Sequence, residues 1–167
     1  MLKDYKLIVL YDTREKVNAH ILSKLARNGV ECKRTTFKFG DYSFILKNLI
    51  TGEEISFQDK YVIERKKSLD ELAQNVGKKR EQFLNEFKRC NEAGAKMDIV
   101  IEDANWYYNI ITHRYRSKLN SKAFKNSLMS FEAQYGVNIF GTDKTSFASY
   151  IYTKFLYKAK SYIFNEM

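Results

Sequence analysis

Two short, mainly apolar runs, KLIVLYD (6–12) and MDIVIED (97–103), predict buried strands. Between them the pattern alternates between helical and extended periods. Val17, Ile21, Leu22 and Leu25 stand at helical spacing within 14–30, and Asn28-Gly29 is a helix stop. ECKRTTFKF (31–39) alternates and predicts a strand. Gly40 and Asp41 break it, YSFILKNL (42–49) resumes extended, Thr51-Gly52-Glu53 turns, and EISFQDKYVIERK (54–66) returns. Ser68 and Glu71 have capping-box spacing ahead of the helix LDELAQNV (69–76). After Gly77, KKREQFLNEFKRCNEAG (78–94) sets Phe83, Leu84 and Phe87 on one helical face. NSKAFKNSLMSFEAQYG (120–136) predicts a helix, VNIFG (137–141) a short strand, and Thr145–Phe164 a final helix. The order β-α-β-β-β-α-α-β-α-α-β-α predicts a single α/β domain, a mixed sheet with helices on both faces.

Composition narrows the class. A chain of 167 residues can build one domain with its own core, and 44% apolar residues with 12 Tyr and 12 Phe argue against disorder. No apolar run approaches the ~20 residues that span a bilayer, so no membrane role is expected. The N-terminal MLKDYKLIVLYD carries Asp4 early and acid directly after its apolar run, and it reads as a first strand rather than a signal peptide. Cys32 and Cys90 lack metal-ligand spacing; they read as small buried hydrophobes in a reducing compartment such as the cytoplasm. A net charge of +9 points to a polyanionic partner, of which nucleic acid is the commonest.

The stretch KYVIERKKSLDEL (60–72) breaks the rules of a buried strand, because its apolar start runs into Glu64, Arg65, Lys66 and Lys67. Alternation along a strand puts Glu64 and Lys66 on one face and Arg65 on the other. Two further acids border buried strands: Asp12 ends the first, and Asp41 stands at the break before YSFILKNL. A Glu-x-Lys pair with an Asp from a neighbouring strand suits a hydrolytic Mg²⁺ site. The carboxylates are hard oxygen ligands, the ion lowers the pKa of a bound water, and the ammonium stabilises developing negative charge. Acids and lysines at strand ends are common and most are solvated, so the pair alone specifies little. The order of several such elements specifies more.

That order resembles the XPF-type structure-specific nucleases of the PD-(D/E)xK superfamily. Gly40-Asp41, a spacer, then Glu64-Arg65-Lys66 and Asp70 are similar to that family's Gly-Asp…Glu-Arg-Lys-x-x-x-Asp signature. YDTRE (11–15) is similar to its upstream Asp-x-Arg-Glu, and Gly77–Gln82 to its segment of Gly, a basic residue and Gln. The resemblance covers about residues 5–105. It implies a restriction-endonuclease-like core, a mixed central sheet flanked by helices. It also implies that Asp12, Asp41 and Glu64 surround Mg²⁺ or Mn²⁺ with Lys66 beside them, and that Arg65 contacts phosphate or holds Asp70. Implied too is hydrolysis of branched or single-strand/duplex junction DNA, leaving 5′-phosphate and 3′-hydroxyl ends. Two departures are visible: LKNLITGEEISFQDKY (46–61) is a long spacer hairpin, either an extension or a DNA-touching wing. After Gly94 only Gly136 and Gly141 occur, so a tandem helix-hairpin-helix module is not expected. The expectation is one compact nuclease domain over 1–167, with a helical, basic part from about 106, of bacterial, plasmid or phage type. A non-catalytic DNA-binding relative or partner subunit is the alternative, and an unrelated basic RNA-binding protein is a third reading that leaves the ordered acids unexplained.

Candidate DNA contacts follow charge. THRYRSKLNSKAFKN (112–126) holds Arg114, Arg116, Lys118, Lys122 and Lys125 without an acid, interleaved with His113, Tyr115 and Phe124. Cations of this kind contact phosphates and aromatics stack on bases. Lys67, Lys78, Lys79 and Arg80, and Arg14 near the first strand, complete the set. Trp106-Tyr107-Tyr108 reads as packing of a helix onto the sheet, with stacking on a flipped base as the alternative. Phe147, Tyr150, Ile151, Phe155, Tyr157, Tyr162 and Ile163 give the last helix a broad apolar surface, which either covers the core or pairs two copies.

Overall fold

Both short apolar runs lie inside one seven-stranded sheet. The computed structural model describes residues 3–166; Met1, Leu2 and Met167, which the expected domain includes, lie outside them. In chain order the elements are β1 (Tyr5–Asp12), α1 (Ala19–Arg27), β2 (Glu31–Thr35), β3 (Tyr42–Asn48), β4 (Glu54–Ser56), β5 (Tyr61–Lys66), α2 (Leu69–Val76), α3 (Arg80–Glu92), β6 (Lys96–Ile101), α4 (Trp106–Ile111), α5 (Ser121–Tyr135), β7 (Asn138–Gly141) and α6 (Phe147–Glu166). The sheet order is β2-β1-β3-β5-β6-β7, with β4 on the side of β3. Strand β3 runs antiparallel to both β1 and β5, and the remaining neighbours along the main path are parallel. This is the expected mixed α/β architecture.

Three boundaries differ from the periodicity, each for a local reason. The extended run 54–66 divides into β4 and β5 because Lys60 N and Tyr61 N both donate to Phe57 O, at 2.9 and 2.8 Å, closing a turn. β2 ends at Thr35 because Phe37 N–H leaves the ladder for Asp12 Oδ2, at 2.7 Å. Helix α1 starts only at Ala19 because the preceding segment turns through Val17 at φ 56°.

Strand alternation divides the core into two layers. Ile8, Leu10, Val62, Met97, Ile99 and Ile101 point to the face packed with residues of α2, α3, α4 and α5. Val9, Phe44, Tyr61, Ile63 and Val100 point to the face covered by α1 and α6. On α6, Phe147, Ile151, Phe155, Ala159 and Ile163 recur every fourth residue and are buried. At ~1.5–3 kcal/mol for each large side chain removed from water, this stripe fixes the helix to the sheet. The broad apolar surface of the last helix therefore covers the core along that stripe, while Tyr157 and Phe164 remain exposed. On the same face, buried Asp98 accepts from Tyr61 Oη and from Asn138 Nδ2 and pairs with Lys154 at 3.2 Å. No helix of the described residues is long and apolar enough to cross a membrane.

Candidate active site

The antiparallel placement of β3 gathers the singled-out acids at one end of the sheet. Asp12 closes β1, Asp41 immediately precedes β3, and Glu64 and Lys66 lie in the last half of β5. Backbone bonds lock this end: Asp12 N donates to Asp41 O and Asp41 N to Ile63 O, both at 2.8 Å. Gly40 makes the approach feasible. Its φ is +73°, and a Cβ there would meet Val62 Cβ at 2.8 Å.

Side-chain alternation on β5 does what its period requires. Lys66 Nζ donates to Glu64 Oε1 at 2.6 Å, and both residues are buried on the α2–α5 face. Lys66 Nζ also lies 4.7 Å from the centre of the Phe83 ring of α3. Burial alone would lower the Lys66 pKa, but Glu64, and behind it Asp41, hold it above its ordinary value. Asp41 Oδ2 accepts from Arg65 N at 2.8 Å. Burial, then the charges of Glu64 and Glu15, drive the Asp41 carboxyl well above the usual carboxylate range. The site therefore brings together Asp41, Glu64 and Lys66.

One member of this cluster was absent from the sequence reading. Glu86, on α3, accepts from Gly40 N at 2.9 Å, and burial together with Glu64 pushes its pKa up to about 7. Its signal was faint: an acid between Phe83 and Phe87 on the side of α3 that faces the core.

Asp12, Arg65 and Asp70 take other places than expected. The Asp12 carboxylate accepts from Arg14 N, Arg14 Nε, Arg14 Nη2 and Phe37 N at 2.7–3.2 Å. Burial raises its pKa, but these bonds outweigh burial and hold it below the ordinary value. Among the described residues no group of three or more His, Cys, Asp or Glu is already gathered at metal-holding distances, and the Asp12 carboxylate is turned to Arg14 and Phe37. Arg65 does not reach Asp70. Its guanidinium lies on the α1/α6 face, bonded to Glu15 at 2.7 Å and Glu102 at 2.9 Å, and is 1% exposed. Buried there, it ties β5 to Glu15 and Glu102. Asp70 sits in the first turn of α2 and accepts from Arg116 N, Ser117 N and Arg116 Nε.

Two carboxylates still fit a divalent ion, because Mg²⁺ keeps several waters and completes its shell with one or two protein carboxylates and substrate phosphate. The charge balance fits as well: three acids, Asp41, Glu64 and Glu86, crowd one buried ammonium, and two of them are pushed toward protonation.

The basic segments meet around the start of α2, the helix that follows β5. Lys78, Lys79, Arg116 and Lys118 line one cavity of about 780 Å³ with Asp70 at its wall. Lys67 and Arg114 line a neighbouring one. Arg80 turns inward instead, to Val76 O and Ser127 Oγ and over the Phe131 ring. Lys122 is exposed and Lys125 half-buried on α5, and Arg14 is exposed but paired with Asp12. Phe124 is fully buried and cannot stack on a base; Tyr115 packs edge-on against it. His113 bonds Ser121 Oγ and Ser117 O and stacks on Tyr115. Trp106 packs on the core, with Gly141 leaving it room, while Tyr107 and Tyr108 are exposed.

The sequence matches the ERCC4 domain family over residues 11–154. Its fold is similar to that of XPF from Aeropyrum pernix, with a TM-score of 0.64 and 22% identity over 90% of this chain and 60% of that one. It is also similar to XPF from Aeropyrum pernix in complex with DNA, with a TM-score of 0.66 and 20% identity over 93% of this chain and 66% of that one. The chain thus spans less than two thirds of the length of either solved chain. No curated protein matches it.

Proposed function

Because the chain belongs to the ERCC4 domain family, we propose that it is a divalent-metal-dependent DNA endonuclease acting on branched or single-strand/duplex junction DNA. The observation that carries this reading is the buried contact of Glu64 with Lys66, at 2.6 Å, beside an Asp41 whose carboxyl is driven upward by burial and then by that same glutamate. A buried ion pair crowded by further acids is poor for stability and good for chemistry. The DNA complex of the Aeropyrum pernix protein and the basic groove beside Asp70 support the choice of ligand.

Asp41 and Glu64 would hold Mg²⁺ or Mn²⁺. When bound, the ion supplies an activated water and neutralises charge on the scissile phosphodiester. Lys66, held by Glu64, presents a buried ammonium that orients the nucleophile and stabilises negative charge on the phosphoryl oxygens. Arg65 keeps β5 in place from the opposite face through Glu15 and Glu102. Glu86 sets the Gly40 turn that presents Asp41. The products would carry 5′-phosphate and 3′-hydroxyl ends.

The test is cleavage of labelled single-stranded, duplex, flapped, forked and four-way DNA in Mg²⁺, Mn²⁺ and EDTA, with Asp41→Ala and Glu64→Ala proteins alongside. Metal-dependent cutting that both substitutions abolish is expected. Binding retained without cutting of any substrate would replace this reading with that of a non-catalytic relative.

A further inference from the structure

Three of the cavities on this protein form a chain. The one beside α2 (Lys78, Lys79, Arg116, Lys118) shares Asp70 with the next. That one, lined by Lys67 and Arg114, shares Lys144 with a third, between α1 and the start of α6. The third encloses about 540 Å³ and is lined by His20, Lys24, Arg27, Asn28, Lys144, Thr145 and Ala148. It differs from the others in chemistry. Asp70 lines the first, and Asp70, Glu102, Asp103 and Asp143 line the second, whereas none of the described side chains lining the third is acidic. Arg27 and Lys144 are exposed there. Among the described residues the Arg27 guanidinium hydrogen-bonds its own helix, at Ser23 O, and Lys24 Nζ is held toward Thr145 O.

The pocket is also wired to the catalytic strand. His20 Nε2 lies 2.9 Å from Glu102 Oε1, Arg65 Nε donates to that same oxygen at 2.9 Å, and Arg65 N donates to Asp41 Oδ2 at 2.8 Å. A ligand seated on His20 and Arg27 would thus sit in a fixed register to Asp41.

We propose that this pocket is a second phosphodiester-binding site, which takes the DNA backbone and continues the basic track of the α2 groove past Lys144 to α1. Cations without acids in a concave surface give sequence-independent attraction for backbone phosphate. This rests on the reading of the protein as a DNA enzyme. It adds that the bound DNA reaches across the sheet end from the α2 groove to α1, which a single groove does not demand.

The test is equilibrium binding of forked DNA to the metal-free protein across a salt series, so that catalysis does not enter. Three proteins are compared: wild type, Arg27→Gln/Lys144→Gln, and Lys78→Gln/Lys79→Gln. The α1-side double variant is expected to lower the slope of log affinity against log salt by about two and to weaken binding about tenfold or more at low salt. An unchanged slope in that variant, with a reduced one in the α2-side variant, overturns the second site and leaves the DNA reading standing. A wild-type protein that binds no DNA overturns both. Wild-type DNA binding by the α1-side variant, together with saturation of the His20 and Arg27 resonances by inorganic phosphate in the wild type, makes the pocket a small-anion site and overturns the proposal.

Discussion

An alanine at position 40 would have to hold a φ of +73° and bring its Cβ within 2.8 Å of Val62 Cβ. Left-handed backbone and overpacking act together, so Gly40→Ala is expected to destabilise the protein by about 2–4 kcal/mol in urea unfolding. Wild-type stability would show that the Gly40 turn is free to move. Glu86, which accepts from that glycine's N–H, makes a prediction of its own. Its folded pKa of about 7 exceeds the ordinary 4.5, so the folded state keeps a proton that the unfolded state releases. Stability linked to this group is complete below about 4.5 and is lost as pH rises through about 7, and Asp41 adds in the same direction. The melting temperature of metal-free protein should fall across that window. Glu86→Gln should melt above wild type at pH near 8 and match it near pH 4; equal curves at both would remove Glu86 from the buried charge cluster. At this scale Glu64 and Lys66 were legible because a period of two determines which residues share a face. Glu86 was not, since its contact to Gly40 spans 46 positions and no spacing rule joins them.

Two short polar residues at the start of helix α2 have different jobs. Ser68 accepts from Glu71 N, as the capping spacing requires, while the Glu71 carboxylate reaches Lys67 N rather than Ser68 N. Ser68→Ala is expected to cost about 1 kcal/mol by denaturant unfolding. Asp70 instead holds a different element, the loop at Arg116 and Ser117, which supplies cations to the α2 groove. Asp70→Ala should speed amide exchange at Arg116 and Ser117 and weaken DNA binding. Unchanged exchange at both would sink that role. Helix extents were read closely where caps and apolar spacing agree, as at 69–76. A strand extent was not legible where a side chain intercepts the backbone: Asp12 taking the Phe37 N–H ends β2, and no local propensity encodes that capture.

For the whole molecule, stability lies in two apolar layers, and the buried charge cluster lies at the end of the sheet between them. Phe155 is fully buried in the α1/α6 layer, tilted against Phe44 at 5.1 Å and edge-on to Tyr61. Phe155→Ala is expected to cost about 3–5 kcal/mol in chemical unfolding; a loss below 1 kcal/mol would mean that α6 is not part of the cooperative core. The two-layer arrangement was legible because the strands alternate and the helices carry apolar stripes. The strand order β2-β1-β3-β5-β6-β7 was not legible from periodicity, because alternation says which face a residue takes and not which strand lies beside it. The resemblance carried by Gly40-Asp41 and Glu64-Arg65-Lys66 supplied the core that periodicity could not.

Strand β3 begins beside Asp41 and ends at Asn48, seven residues or about 23 Å away at the far end of the sheet. The turn that follows, through the exposed Leu49, Ile50, Thr51 and Gly52, is therefore a natural handle. A biotin-acceptor peptide or a fluorophore inserted between Thr51 and Gly52 would tether the protein to a surface with the Asp41 end of the sheet facing solution, so that the proposed action on DNA could be watched on single molecules with the tether on the opposite side.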